Sequence, residues 1–306
     1  MRSRNLNGGT QRVVCKEIMS KYLKSLHKGL TRVKVSKLIN MMNIRNESAW
    51  RIQFSVIYAL VFRELNSRFG RYRLGYMWAL LEPLAFIGVL SGIRVLFGRS
   101  SMGGVEYPLF FASGIMPYLL FQHILISSMN AVEANRGVFN YQRVKPVDCV
   151  IARVAIEGII YGLATCIILP ALYLLGFTFS WNDTVSYILT VALLIIFATG
   201  LGLVMSVIAP LWQESKKIVP IAIRPLFFVS GIFFVLSDMP ERAKAFLLIN
   251  PLLHAIELIR HSMFAEYQVG EVNVSYLFIC SLVSLVLGLS VYRIYRLDLV
   301  TSGNIR

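Results

Sequence analysis

The sequence predicts an all-α integral membrane protein with six transmembrane helices, an N-terminal amphipathic helix at the interface, and short re-entrant helices between the fifth and sixth spans. Three observations carry this. Of 306 residues, 56% are hydrophobic and 15% charged, and mean hydropathy is +0.63, which is too apolar for a soluble domain. The apolar residues come in blocks near the ~20 residues that a hydrocarbon core requires. Lys and Arg gather in the segments that six crossings from an inside N-terminus place in the cytoplasm.

Residues 1–50 read as a basic cytoplasmic or interfacial extension. Within 13–42, Ile18, Met19, Tyr22, Leu23, Leu26 and Leu30 fall near helical spacing among lysines. A basic amphipathic helix on an anionic membrane surface and a poorly ordered tail both fit. A true start at Met41 or Met42 is a third reading. The first forty residues show no h-region followed by a small-residue cleavage site, so insertion is expected to begin at the first span. Residues 51–300 are the expected membrane domain, and 301–306 a cytoplasmic tail. The domain opens on an amphipathic stretch, 51–73, which carries Phe54, Ile57, Leu60, Val61 and Leu65 and ends in the run Arg63, Glu64, Arg68, Arg71 and Arg73. It carries too many charges to cross a bilayer.

The expected spans are about 75–97, 107–129, 149–177, 185–209, 217–237 and 275–295. The third is long enough to tilt or to extend beyond the bilayer. The apolar stretch 245–264 is broken by Asn250-Pro251 and carries His254, Glu257, Arg260 and His261. An ionisable group near the bilayer centre costs ~2.5–3.5 kcal/mol on insertion scales. The stretch therefore reads as two short helices that dip in without crossing, a backbone course tolerated where protein buries it or where it lines a cavity.

The loops agree with six spans. Segments 1–74, 130–148, 210–216 and 293–306 hold Arg136, Arg143, Lys145, Lys216, Arg293, Arg296 and Arg306 besides the basic N-terminus. Segment 98–106 carries only Arg99, and 178–184 carries no Lys or Arg. A seventh span would put Arg293 and Arg296 outside. The same rule accounts for the net charge of +15, so no nucleic-acid partner is expected.

Glu82, Arg153, Glu157 and Arg224 lie inside expected spans, and His123 falls at a similar depth. Arg153 and Glu157 are i,i+4 on one face. One polar layer in the inner third of the bundle would satisfy them all, with Glu82 and Arg224 as a candidate direct pair. A gate, a polar entrance wall and a purely structural register pin all remain open. Glu82-Pro83 predicts a kink in the first span.

Soluble-enzyme chemistry is missing. There is no GxxxxGK-Ser/Thr phosphate loop, no HExxH and no GxSxG. Cys15, Cys149, Cys166 and Cys280 show neither CxxC pairing nor a His at ligand spacing, so no metal site is indicated. His254, Glu257 and His261 form one small acid/imidazole set, which reads more simply as polar residues of a re-entrant helix.

Three stretches resemble one family: RELNSRFGRYRLGYMWALLEPL at 63–84, GVFNYQRVKPVD at 137–148, and NPLLHAIELIRHSMF at 250–264. With six spans in this order, they resemble the membrane subunit of an ABC-2 type polysaccharide exporter, closest to capsule export permeases, with O-antigen and teichoic-acid permeases nearby. The likeness covers about 50–300. The N-terminal extension is a departure from it.

The resemblance implies a transporter permease rather than an enzyme. The permease is a homodimer with two copies of a separate ATPase in the bacterial inner membrane, and both termini are cytoplasmic. ATP and Mg sit on that partner and no cofactor on this chain. The cargo is a lipid-linked polysaccharide, and a periplasmic export partner is a further expectation. Asn135, Arg136, Phe139, Asn140, Arg143, Lys145 and Pro146 correspond to the coupling helix, with Phe139 as an aromatic anchor. Arg63, Glu64, Arg68, Arg71 and Arg73 correspond to the gate helix at the substrate entrance, where Arg forks bind phosphate or acidic sugars. Attraction to anionic lipid explains the same arginines without a substrate. Asn250, Pro251, His254, Glu257 and Arg260 correspond to the outer re-entrant segment, where aromatic residues stack on sugar rings. An ABC-2 exporter of small molecules and a membrane-embedded enzyme are the competing readings.

Overall fold

The computed structural model describes residues 49–69, 75–98, 101–139, 144–178 and 180–301. The expected helix within 13–42 lies outside these, as do Arg71, Arg73, Asn140 and Arg143. The chain divides into two units, 1–52 and 53–306, and one helix begins at the edge of the second.

That helix, α1 (Ala49–Phe69), covers most of the expected amphipathic stretch. Next comes α2 (Gly75–Leu96), which holds Pro83 in its interior. Strands β1 (Ser101–Met102) and β2 (Val105–Glu106) pair antiparallel, with Met102 opposite Val105. Their two-residue turn is Gly103-Gly104, both at positive φ (57° and 80°), as a type I′ hairpin demands. α3 (Tyr107–Met129) starts with a proline in its first turn, where the missing N–H costs nothing. The short α4 (Ala131–Ala134) and a 3₁₀ turn at Arg136–Val138 follow.

α5 (Pro146–Leu174) is 29 residues long. Its Asp148 carboxylate accepts the Lys145 backbone N–H at 2.9 Å. α6 (Thr184–Leu211) is capped by Asp183, which accepts from the N–H groups of Val185 and Ser186. The Ser186 hydroxyl first, and then those backbone bonds, hold the Asp183 carboxyl below the usual range. Then come α7 (Ser215–Val229), α8 (Glu241–Leu247), α9 (Pro251–Met263) and α10 (Val274–Thr301).

Among the described residues, four helices are long and apolar enough to cross a membrane: α3, α5, α6 and the Val274–Arg296 part of α10. The expected fifth span, 217–237, is not one continuous helix. α7 has 15 residues, about 22 Å at 1.5 Å per residue. It carries Pro220 and Pro225, and the chain then turns at Gly231 with φ +77°. The apolar stretch at 245–264 is split into α8 and α9, with Asn250 capping α9 through the Leu252 N–H at 3.0 Å.

α3 is the axis of the bundle, and α2, α5, α6 and α9 pack on it. Its apolar residues point all round, as in a helix enclosed by others. α6 also packs closely along α10. A Cβ on Gly200 would lie 2.2 Å from Ser284 Oγ, and one on Gly288 would lie 2.5 Å from the Gly200 carbonyl oxygen. Hydroxyls lock the same crossing: Ser281 Oγ donates to Leu193 O at 2.9 Å and Ser284 Oγ to Phe197 O at 2.8 Å. Small residues of this kind let helices approach where lipid gives no hydrophobic drive. Gly200→Ala is therefore expected to destabilise the purified protein by about 1–3 kcal/mol. Gly162→Ala on α5, with nothing within 4 Å of the new Cβ, is expected to be close to neutral. Thermal midpoints in detergent check both.

Large apolar side chains are left outside. Leu84, Phe86, Val89 and Ile93 on α2, Ile159, Leu163 and Ile167 on α5, and Phe278, Leu282 and Val286 on α10 are all exposed. Contiguous bands of this size are unfavourable in water and natural in a bilayer.

Candidate functional site

Polar groups collect at two levels of the bundle. At one end, around α9, Arg260 and Glu257 are completely buried. Arg260 Nε donates to Ser113 Oγ (3.4 Å), Nη1 to Gly231 O (2.5 Å) and Glu257 Oε1 (3.3 Å), and Nη2 to Phe110 O and Ile232 O (3.4 Å each). A guanidinium has five N–H donors, and these five contacts use all of them. Its carbon lies 3.7 Å from the centre of the Phe110 ring, in cation–π range. The Tyr267 hydroxyl donates to Glu257 Oε2 at 2.8 Å.

Glycine makes the room. A Cβ on Gly114 would come within 2.7 Å of Arg260 Nη2, and one on Gly103 would meet the Tyr267 ring at 3.0 Å. The cluster thus ties together α3, α9, the hairpin and the turn after α7. His254 accepts the Asn273 backbone N–H at Nδ1 (3.0 Å), so its Nε2 carries the proton toward Leu248 O (2.9 Å). His254 is a neutral strut, and His261 sits apart against Tyr267 O.

At the other level Tyr161 of α5 lies within electrostatic range of both Glu82 and Glu157, and Arg224 is the member of the expected polar layer that lies elsewhere. Glu82 Oε2 faces His123 Nε2 at 3.4 Å, and the His123 ring packs against Tyr161. Glu82 does not pair with Arg224, which is exposed on α7. Arg153 reaches both α1 and α3. Its Nη2 pairs with Glu64 Oε1 of α1 at 2.9 Å, and its Nη1 donates to Ser127 O of α3 at 2.6 Å. Glu157 is buried one turn further along α5. Gln53 of α1 also donates to Asp148 of α5. Helix α1 is thereby held along one face, at residues 53, 60 and 64, with Leu60 buried between the polar contacts. Arg63 is half-buried on the same helix, and Arg68 lies in its last turn.

The expected coupling segment joins α3 to α5. Asn135 is buried and donates to Ala131 O at 2.8 Å, a local brace. Phe139 is half-buried against Val132, Val207 and Leu299 of its own chain. Arg136 is half-buried, Lys145 exposed and Pro146 buried. Lys216 at the start of α7 pairs with Glu133 of α4.

Between α2, α3 and α7 runs a ladder of rings. Tyr107 stacks on Phe111, which meets Phe233 edge-on; Phe233 contacts Phe227 and Phe228, and Phe227 reaches Tyr118 and Phe86. Phe86 and Phe228 are exposed at its side.

Residues 55–264 match the family model described as ABC-2 type transporter. The chain belongs to the ABC-2 type transporter family. It is 37% identical to the polysialic acid transport protein KpsM of Escherichia coli over 255 residues, 83% of this chain and 99% of KpsM. It is 27% identical to the capsule polysaccharide export inner-membrane protein CtrC of Neisseria meningitidis, covering 78% of this chain and 91% of CtrC. It is 22% identical to the O-antigen export system permease protein RfbA of Klebsiella pneumoniae, covering 78% and 92%.

In this ABC-2 chain, the sequence had marked Glu64 and Arg153 but not their union, and had marked neither Ser127 nor Tyr267. Glu64 and Arg153 were assigned to different features, a gate and a polar layer. Ser113, Gly114 and Gly231 carry no motif of their own. Their signal is indirect: a fully buried arginine needs acceptors, and the carbonyls at a helix-breaking Gly231 are free to supply them.

Proposed function

We propose that this chain is the permease of an ATP-driven exporter of capsular or other cell-surface polysaccharide, working as a homodimer with two copies of a separate ATPase in the bacterial inner membrane. The observation that carries this is the 37% identity to KpsM along 99% of that protein's length. Six crossings are α2, α3, α5, α6, α7 with the turn that follows it, and α10. α1 lies at the inner interface, α8 and α9 are re-entrant at the outer face, and both termini are cytoplasmic. ATP and Mg belong to the ATPase, and a periplasmic partner continues the route.

The polar contacts support a path for force. ATP-driven closure of the ATPases pushes on residues 135–146. These join α3 and α5, and Arg153 of α5 bonds both the Ser127 carbonyl of α3 and Glu64 of α1. The push then reaches α1, whose Arg63 and Arg68 sit at the cargo entrance. At the exposed side of the ladder, Phe86 and Phe228 offer flat apolar surfaces on which sugar rings slide, stacking without fixed hydrogen bonds.

Purification of the tagged chain from its host in mild detergent tests the assembly. The expected result is an ATPase subunit recovered in equal amount, with ATP hydrolysis in the eluate. Recovery of the chain alone, from membranes in which the ATPase is made, contradicts the proposal and returns the membrane-enzyme reading.

A further inference from the structure

Helices α2 and α7 both run antiparallel to α3. On α2, Glu82 faces His123, and Arg94, further along, lies over the Tyr107 ring. On α7, the Ile223 carbonyl accepts the Tyr118 hydroxyl at 2.7 Å, and past the helix end Phe233 meets Phe111. The contact between the Phe86 and Phe227 rings, 5.8 Å from centre to centre, aligns the two helices. Glu82 lies four residues before Phe86 and Arg224 three before Phe227, so both sit about one turn from that contact toward the coupling segment. Direction, not depth, sets Arg224 apart. Glu82 turns to α3, while Arg224 is exposed and, among the described residues, makes no ion pair.

An unpaired guanidinium between Ile221 and Phe228, both exposed, is costly against lipid at this depth. Glu82 touches His123 through Oε2 alone and keeps its side chain 24% exposed, which leaves it open to a second partner. It shares a helix face with the exposed Phe86, as Arg224 does with Phe228, each pair at i,i+4. A base and an acid at one depth are self-complementary about a two-fold axis along the membrane normal, which preserves depth and makes each contact twice. A wall shaped only for an anionic cargo would not carry the acid. We propose that Arg224 pairs with Glu82 of the partner subunit, and Glu82 with Arg224 of the partner subunit. The pairing rests on the homodimer of the glycan-export reading. It adds the contact by which the two copies recognise each other, one turn inward of Phe86 and Phe228.

The test is choice of partner between two differently tagged full-length copies, made together in a host without its own copy of the gene. Wild-type copies are expected to assemble at random. A Glu82→Arg copy made with an Arg224→Glu copy is expected to choose the other over its own kind by about tenfold or more, since only the mixed dimer sets opposite charges at both bridges. A bridge within one chain gives no such preference, because each single variant then holds like charges whichever copy it meets. Recovery through one tag and detection of both measures the ratio. If the charge variants do not accumulate, Glu82→Cys on one copy and Arg224→Cys on the other take their place, with the four native cysteines changed to alanine. A short bis-thiol cross-linker is then expected to join the two tags, and its failure to do so overturns the proposal. Wild-type copies that copurify while the charge variants assort at random overturn the pairing alone. Wild-type copies that never copurify overturn the homodimer with it.

Discussion

Replacing Arg260 by methionine is expected to abolish accumulation of the folded protein, at a cost of about 3–5 kcal/mol. The methionine fills much of the volume but leaves Glu257, completely buried, without its cation. It also strands the carbonyls of Gly231 and Ile232, which the guanidinium now satisfies. Arg260→Lys is expected to rescue little, because an ammonium has three donors and no fork to reach acceptors on three elements. Adding Glu257→Gln to Arg260→Met is expected to recover part of the loss, since no unpaired charge then remains buried. Membrane yield and thermal midpoint report all three. A single Arg260→Met variant with wild-type stability would show that the cluster does not hold the hairpin, α3 and α9 together.

Glu64→Gln is expected to act differently. Glu64 and Arg153 meet at 2.9 Å with little solvent around them, yet Arg153 keeps its bond to Ser127 O when the carboxylate is neutralised. The bundle should therefore assemble while the link from α5 to α1 weakens. Coupling through one such contact is worth about 0.5–2 kcal/mol, so surface glycan should fall between about twofold and about thirtyfold, with ATP hydrolysis by the complex within about twofold of wild type. A charge swap is expected to restore little, since a glutamate at position 153 would face the Ser127 carbonyl. Export unchanged in Glu64→Gln would remove α1 from the path of force.

The helices were legible because their signals are local. Pro108, Pro146 and Asn250-Pro251 punctuate the chain at helix starts, and the apolar blocks between them are long. The Gly103-Gly104 hairpin had a signal too, a two-residue turn with positive φ at both positions, but its strands are too short for a period to show. What the sequence did not give is which polar groups meet. Depth along a helix put Glu82, His123, Arg153 and Arg224 in one layer, and depth carries no azimuth. His123 faces Glu82, Arg153 pairs with Glu64 of α1, and Arg224 faces outward on a helix that two prolines and Gly231 cut short. The partners of Arg260 lie up to 150 residues away in sequence and are mostly backbone carbonyls, which no residue type announces.

The central claim is that this chain moves polysaccharide outward across the membrane. Clean deletion of its gene in the host, followed by assay of surface and intracellular polysaccharide, tests it most directly. The expected result is loss of surface glycan with lipid-linked polymer building up inside the cell, both reversed by the wild-type gene. Surface glycan that is unchanged by the deletion would contradict the account and leave an ABC-2 exporter of small molecules as the reading to pursue.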